Sequence, residues 1–400
     1  MGAIPYLLVL WDDLSIFCYS FFGILLSILW ITTQTMPEQA WASNHELLLR
    51  RPNQRVRAGS IALPKGDGPF PVAVLLPGSG KHKRETPIAE YPWGSSVTNA
   101  LCTHGIALIR LDDPGTGASS GDKFQLTIQD LLDDVSETIQ ATKAFPCLDP
   151  QKIGLIGHSE GGMFAYLAGK ELIDLEFLVL MAAPARPLGV IVLEQFEANA
   201  LRKDLTPKAA STVRRELGAL FQQLSQEPIE AGRHLMMQQF QKRVLSLHSS
   251  LNWSSFWQEG LVASGWNIRF ASPWFHSHLQ RNQASINHSI QALPQRVLVM
   301  QGSSDIQVSP QKDFSLLTQL MKESSIDYKQ VMFNGLDHVF GSNPAGVSDH
   351  YGMDMSTLER KVLPMIAGWI TAPQAPDKRT SNDNILKTMS PDKRPLNPRA

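Results

Sequence analysis

The apolar residues of this chain are grouped in short runs separated by stretches with helical spacing. Such runs, bounded by glycine or proline, are typical of strands buried on both faces. They occur as PVAVLLP (71–77), GIALIRLD (105–112), KIGLIG (152–157), LEFLVLMAAP (175–184), RVLVMQG (296–302) and YKQVMF (328–333). The alternation of strand and helix predicts an α/β fold, with a mostly parallel sheet flanked by helices.

The pattern changes over residues 186–291. Segments such as PKAASTVRRELGALFQQLSQ and EAGRHLMMQQFQKRVLSL have apolar positions at helical spacing, without strand-like runs. We therefore predict a helical cap inserted between two parts of one core, residues 46–185 and 292–371. Its methionine and aromatic residues are interpreted as packing surface, some of which lines a pocket over the strand ends. Residues 372–400, rich in Pro, Lys, Asp and Asn, are predicted to be disordered.

The N-terminal segment, residues 1–42, contains an uncharged run at 14–31 that approaches the length of a membrane span. AWA at 40–42 has the small-x-small form of a signal-peptidase site. However, Asp12 and Asp13 precede the run and no Lys or Arg occurs before Arg50, whereas an export signal begins with positive charge. The sequence leaves open a cleaved export signal, a permanent membrane anchor and a buried helix. We expect the first two, with the protein membrane-anchored or exported.

Composition narrows the class of protein. The 400 residues are 43% hydrophobic and 18% charged, which suits one large domain with an insertion or two ordinary domains. Lys plus Arg (36) nearly balances Asp plus Glu (37), and no basic stripe carries interleaved aromatics, so no nucleic-acid partner is predicted. Three cysteines exclude a disulfide scaffold, although a Cys102–Cys147 pair stays open. His276 and His278 form H-x-H without partners at ligand spacing, and we predict no metal or organic cofactor.

Two serines lie in a G-x-S-x-G pattern, which is typical of the nucleophile elbow of serine hydrolases. Ser159 follows the strand-like run KIGLIG and precedes the helical stretch GGMFAYLAGKEL. Ser119 lies in a Gly/Asp/Ser/Pro cluster without either flank, which predicts a surface position in a long loop. An elbow requires a strand, a sharp turn and a helix, so Ser159 is the candidate nucleophile.

A serine nucleophile needs a base, and the base needs an acid that orients it. Asp305 follows the run RVLVMQG and His338 follows YKQVMF, so both lie after buried strands in the order Ser, Asp, His. Asp305 as a cap of the adjacent turn or helix is the alternative. His350 is a rival base, nearer the last helix, and we favour His338. Asp337 is rejected as the acid because adjacent side chains rarely point together.

Acyl transfer also requires donors for the oxyanion. The backbone N–H of Glu160, directly after the nucleophile, is one candidate. Ser79 is the other, in the loop GSGKHKRE, where Gly78 and Gly80 permit the turn. A phosphate-binding loop is the competing interpretation, but the segment lacks both G-x-x-x-x-G-K-[ST] and G-x-G-x-x-G. The side chains of His158 and Glu160 are interpreted as structural or as pocket wall.

The segments LLPGSGKHKRE, HGIALIRLDDPGTGASSGD, KIGLIGHSEGG, SPWF, VLVMQGSSDIQV and GLDHVF occur in this order. Together they resemble the bacterial α/β-hydrolase-fold serine esterases related to prolyl-oligopeptidase-like and serine-aminopeptidase-like hydrolases. The resemblance covers about residues 55–370 and implies Ser159 as nucleophile, Asp305 as acid, His338 as base and a helical cap before SPWF. The chain departs from the family where Pro114 replaces the usual Arg of Asp-Asp-Arg-Gly, and at Glu85, where Asp or Asn is usual.

These observations predict a serine hydrolase, a carboxylesterase that acts on a small-molecule ester through an acyl-enzyme. A peptidase or amidase with the same triad is the alternative, and acidic groups lining the cap would favour it. A catalytically silent binding protein on the same fold is disfavoured because no triad position is missing. Residues 14–31 would associate the protein with a membrane if they are an anchor, and would direct export if they are a cleaved signal.

Overall fold

The computed structural model describes residues 41–51, 55–87, 91–202, 206–229, 269–346, 352 and 354–373. Several predictions fall outside these residues: those for residues 14–31, for His350, for part of the cap and for the tail beyond 373. Within the described ranges, no helix combines the length and the apolar character that crossing a membrane requires.

An eight-stranded sheet forms the centre of the described part, in the order β1-β2-β4-β3-β5-β6-β7-β8. The strands are β1 (Trp41–Arg50), β2 (Val56–Pro64), β3 (Phe70–Leu76), β4 (Ala107–Leu111), β5 (Leu148–His158), β6 (Phe177–Met181), β7 (Arg296–Gly302) and β8 (Tyr328–Phe333). β1 pairs antiparallel with β2, and β2 with β4, whereas every pair from β4 to β8 is parallel. The carboxyl ends of the parallel strands therefore meet at one edge of the sheet.

The central strands are apolar because both faces are covered. In β3, Val72, Val74 and Leu76 belong to one core cluster, while Ala73 and Leu75 belong to the cluster on the opposite face. A strand with one solvated face would alternate apolar and polar residues, and these do not.

Helices cover the sheet on both faces. They are α1 (Trp93–Thr103), α2 (Ile128–Thr142), α3 (Glu160–Glu171), α4 (Leu188–Arg202), α5 (Pro207–Gln226), α6 (Pro273–Leu279), α7 (Gln283–Gln291), α8 (Ser315–Glu323) and α9 (Leu363–Thr371). α1 and α9 pack together on one face, and α3 packs on the other against β3, β5 and β6. α6 packs on α4, α5 and the short helical turn Lys123–Gln125, so it joins the insertion to the core.

All six strand-like runs form strands, and the fold class is confirmed. β1 and β2 were not predicted individually, since β1 carries exposed and polar residues along most of its length. The described parts of 186–291 contain helices and no strand. Cys102 and Cys147 are both free thiols.

Candidate active site

Ser159 lies in a sharp turn between β5 and α3. Its backbone has φ 56° and ψ −122°, a conformation that non-glycine residues rarely adopt. The turn also requires its two glycines, because a Cβ at Gly161 would overlap the carbonyl oxygen of Leu76, and one at Gly157 would overlap that of Gly161. The sequence context therefore produces the strained strand-turn-helix geometry in which a serine hydroxyl projects above the sheet.

Asp305 and His338 are brought together from the loops after β7 and β8. His338 Nδ1 lies 2.8 Å from Asp305 Oδ2, and both side chains are buried. Asp305 Oδ1 accepts hydrogen bonds from the backbone N–H groups of Gln307 and Val308, at 2.8 and 3.0 Å. The carboxylate thus contacts the imidazole through one oxygen and its own loop through the other.

Asp337 organises the loop that carries His338. Its carboxylate accepts hydrogen bonds from the N–H groups of Val339, Gly341 and Gly352, and the residue is fully buried. Burial raises the pKa of this carboxyl above its ordinary value. Asp337 therefore points into its own loop, while Asp305 contacts the imidazole.

His158, which precedes the serine, contacts both the backbone and the ring of His338. Its Nε2 lies 2.8 Å from the carbonyl oxygen of His338, and the two rings are 4.8 Å apart. Burial, and next the neighbouring His338, lower the pKa of His158 to about 3. The ring is therefore neutral at neutral pH, and it must donate from Nε2 because its partner is a carbonyl.

Glu160, which follows the serine, points its carboxylate away from the solvent. Oε1 accepts hydrogen bonds from Trp274 Nε1 and His278 Nε2, both at 2.7 Å, and Oε2 lies 3.6 Å from Lys123 Nζ. Burial opposes the charge, but Lys123, His278 and Trp274 outweigh it and lower the pKa of Glu160 to about 2. The residue after the candidate nucleophile therefore carries a buried charge bound to both the core and the cap.

Ser79, the second predicted oxyanion donor, lines the same two cavities as Ser159. A Cβ on the preceding residue, Gly78, would lie 3.2 Å from Ser159 Cβ, which shows how closely this loop approaches the elbow. The loop is held by His82, whose Nε2 lies 2.9 Å from the carbonyl oxygen of Ser79. Ser79 and Glu160 thus both border Ser159, from two chain segments, and both line the cap-side cavity.

Two cavities meet at Ser79 and Ser159. The cap-side cavity, about 420 Å³, lies beneath α4 and has the apolar lining residues Met163, Leu188, Ile191 and Val192. The basic cavity, about 230 Å³, contains His338 and the basic residues His82, Lys83, Arg84 and Arg110. A substrate bound across the serine would therefore place one part against an apolar wall and the other against a basic wall.

The prediction for Ser119 as a surface residue is wrong. Its side chain is buried, and Oγ accepts the N–H of Ala58 at 2.9 Å while donating to the carbonyl of Asp112 at 2.8 Å. A Gly/Asp/Ser/Pro loop indicates a turn but not whether a strand end packs against it. Ser119 fastens that loop to β2 and lines neither cavity at Ser159.

The H-x-H pair on α6 serves as hydrogen-bonding groups. His276 Nε2 lies 2.6 Å from the carbonyl of Leu224, and His278 contacts Glu160. Among the residues that the structure describes, no group of three His, Cys, Asp or Glu side chains is arranged to hold a metal ion.

The sequence analysis missed two supporting residues. Gln301 Nε2 donates to Asp305 Oδ2 at 2.6 Å, and its signal was a single polar residue in the apolar run of β7. Lys123 is buried among partners from three distant segments, and no local pattern marks it.

Comparison with known proteins agrees with the architecture. A model of the alpha/beta hydrolase family matches residues 73–349. The chain is 30% identical to esterase EstD of Thermotoga maritima over 141 residues, which are 35% of this chain and 33% of that protein. The match thus spans about a third of the length of this curated relative.

Solved structures similar to this chain include two esterases. Pyrococcus furiosus esterase PF2001 is 13% identical, with 82% of this chain and 91% of that one covered and a TM-score of 0.49. Est1E from Butyrivibrio proteoclasticus, solved with ferulic acid, is 13% identical, with 85% and 99% covered and a TM-score of 0.46. The family model covers well over half of the sequence. This chain belongs to the alpha/beta hydrolase family.

Proposed function

We propose that the protein hydrolyses carboxylic esters through an acyl-enzyme formed on Ser159. The observation that carries the proposal is the strained turn at Ser159, which borders a cavity shared with His338, whose Nδ1 is bonded to Asp305. The partial similarity to an esterase supports the same activity.

In this mechanism Ser159 Oγ attacks the ester carbonyl carbon, and His338 Nε2 accepts the hydroxyl proton. Asp305 stabilises the imidazolium, and the N–H groups of Glu160 and Ser79 donate to the oxygen that becomes negatively charged. The ester C–O bond then breaks, and His338 gives the proton to the leaving alcohol. Water attacks the acyl-enzyme with His338 again as base, which releases the acid and restores Ser159.

The cavity lining favours an ester over a peptide substrate. Within the described residues, Glu160 is the one acidic residue of the cap-side cavity, and its carboxylate is already bonded to Trp274 and His278. Among the described lining residues, a charged substrate amine therefore meets no carboxylate besides this one, which already has partners. The apolar wall beneath α4 suits an acyl chain instead.

A fluorophosphonate probe and a substrate panel test the proposal. We expect mass spectrometry to locate the probe on the peptide that contains Ser159, and p-nitrophenyl esters to be cleaved in preference to aminoacyl p-nitroanilides. Cleavage of the anilides alone would indicate the peptidase. A protein that neither reacts with the probe nor cleaves any substrate would be a binding protein, and the proposed function would be wrong.

We also propose that the uncharged run at 14–31 delivers the enzyme to a membrane or across it, since so apolar a segment is unfavourable in water. Fractionation of cells expressing the full chain tests this. An unprocessed chain recovered entirely from the cytosolic fraction would contradict it.

A further inference from the structure

Lys123 is a buried cation at the rear of the active site. Its side chain is 3% exposed, and Nζ lies 3.2 Å from Asp113 Oδ2 and 3.6 Å from Glu160 Oε2. Removing an ammonium group from water is unfavourable unless charged and hydrogen-bonding partners surround it. A methylene-rich side chain would fill the same space without that penalty, so the position of the charge calls for a reason.

The third partner of Lys123 is the carbonyl oxygen of Gly78, which lies 3.3 Å from Nζ. This carbonyl belongs to the same peptide group as the N–H of Ser79. In a trans peptide the C=O and N–H point in opposite directions within one plane. A donor that holds the Gly78 oxygen therefore fixes the direction of the Ser79 N–H.

Lys123 lies on the side of this peptide away from the substrate cavities. Ser79 lines both cavities at Ser159, whereas Lys123 lines a separate small cavity of about 40 Å³ beside Asp113, Leu76 and Phe164. The ammonium thus contacts the carbonyl oxygen, and the trans peptide directs the Ser79 N–H away from Lys123.

The same cluster fixes the rest of the loop. Asp113 Oδ2, which pairs with Lys123, also accepts the backbone N–H of His82 at 3.0 Å. Glu160, whose own N–H is the other candidate oxyanion donor, is the second anion at Lys123. One ammonium group therefore touches the segments that supply both donors.

We propose that Lys123 is a positioning residue of the oxyanion hole, which holds the Gly78 carbonyl so that the Ser79 N–H points at the oxygen that becomes charged during attack by Ser159. The inference rests on the proposed ester hydrolysis. Removal of an oxyanion donor costs about 10²- to 10³-fold in kcat. Because Lys123 acts through the peptide, we expect a smaller loss, of about 10- to 100-fold.

The test is Lys123→Met, which keeps the length of the side chain and removes its charge and donor. We expect kcat for p-nitrophenyl esters to fall by that factor while KM changes less than about threefold. The inhibition constant of an alkylboronic acid, whose tetrahedral adduct places an oxygen in the oxyanion hole, should rise by the same factor as kcat falls. Lys123→Arg, which retains a charged donor, should recover part of both losses.

Two further variants guard against a purely structural effect. Lys123→Met leaves the Asp113 carboxylate without its ammonium partner. The double variant Lys123→Met/Asp113→Asn also removes that carboxylate, and it replaces the single variant in the test if the single variant does not fold. Arg296→Met is the matched control, because Arg296 also pairs with a carboxylate, that of Glu176, and donates to the carbonyls of Trp369 and Ile370, but at the start of β7. It should lower the melting temperature and leave kcat and inhibitor affinity unchanged.

The outcomes separate this inference from the proposed function. If a folded Lys123 variant keeps the wild-type kcat and boronic acid affinity, the inference is wrong and ester hydrolysis stands. An equal fall of kcat in Arg296→Met would attribute the effect to lost stability and would also overturn it. If the wild-type protein fails to react with the fluorophosphonate, both the inference on Lys123 and the proposed ester hydrolysis are wrong.

Discussion

The segments GHSEG (157–161) and GASSG (117–121) share one local pattern, but the fold places their serines in different environments. Ser159 lies at φ 56° between a buried strand and a helix, at the junction of two cavities. The hydroxyl of Ser119 is buried between the backbone of Ala58 and that of Asp112. The pattern supplies a turn in both cases, whereas the elements around the turn decide whether the hydroxyl faces substrate or backbone.

The neighbours of each serine sharpen this difference. His158 bonds to the loop after β8 and Glu160 bonds to α6, so the Ser159 turn is connected to the candidate base and to the cap. By contrast, the Ala118 N–H donates to the nearby Asp112 carboxylate, and Ser120 Oγ accepts the N–H of Val56 on β2. The two turns therefore differ in the distance along the chain to the partners of their flanking residues.

The largest expected effect is the loss of turnover in Ser159→Ala. We expect kcat for ester hydrolysis to fall on the order of 10⁶-fold, because the nucleophile is removed. Ser119→Ala is the matched variant and should keep kcat within about twofold. Stopped assays with purified, folded proteins measure both, and a Ser119 variant as inactive as the Ser159 variant would break the comparison.

The next largest effect is expected at Asp305, the proposed acid of the Ser159 site. In Asp305→Asn the amide can donate to His338 Nδ1, which favours the wrong tautomer of the imidazole, so kcat should fall about 10⁴-fold. Oδ1 can still accept the N–H groups of Gln307 and Val308, and we therefore expect the fold to persist by circular dichroism. A fall of less than about tenfold would contradict the role of Asp305 as the orienting acid.

Ser119→Ala should lower stability where Ser159→Ala does not. The substitution leaves the buried N–H of Ala58 without its acceptor, which costs about 1–3 kcal/mol in the free energy of unfolding. Denaturant titration of both alanine variants measures the difference. Equal stabilities would show that Ser119 has no structural role.

His158, next to Ser159, should make the free energy of unfolding decrease at acidic pH. The unfolded chain binds a proton on this histidine below about pH 6.5, while the folded protein does so only near pH 3. Stability is therefore lost as the pH falls between these values, by up to about 1.4 kcal/mol per pH unit. Urea titrations from pH 7 to 5 should show a shallower dependence of stability on pH for His158→Gln than for the wild-type protein, and equal slopes would contradict the prediction.

The smallest expected effect is on acyl-chain preference. Leu188 lines the cap-side cavity, and Leu188→Ala should raise kcat/KM for decanoyl over butyryl esters by about three- to tenfold. Val190, on the same helix but 39% exposed, provides the control Val190→Ala. The deeper choice Trp274→Ala is unsuitable, since Trp274 is fully buried and donates to Glu160. If both variants showed the same chain-length preference, the cap-side cavity would not be the site that binds the acyl chain.

Much of the candidate site could be predicted because each residue is marked by its immediate neighbours in the sequence. Ser159 has its strand and helix in continuous sequence, and Asp305 and His338 each follow an apolar run, so strand order alone predicts that they meet at one edge. The antiparallel strands β1 and β2 escaped prediction because β1 is a sheet-edge strand with polar, exposed positions. The burial of Ser119 escaped it because its partners lie on another strand.

The sequence by itself determined the strands from β3 to β8, the turn at Ser159 and the candidate acid and base, since hydrophobic periodicity and glycine placement act over a few residues. Only the tertiary structure decided which buried polar groups pair: Lys123 with Gly78, Asp113 and Glu160, and Glu160 in turn with the cap. A buried charge is tolerated only where several partners converge on it, and these partners come from segments far apart in the chain. That convergence is a property of the packed molecule and leaves no periodic trace in the sequence.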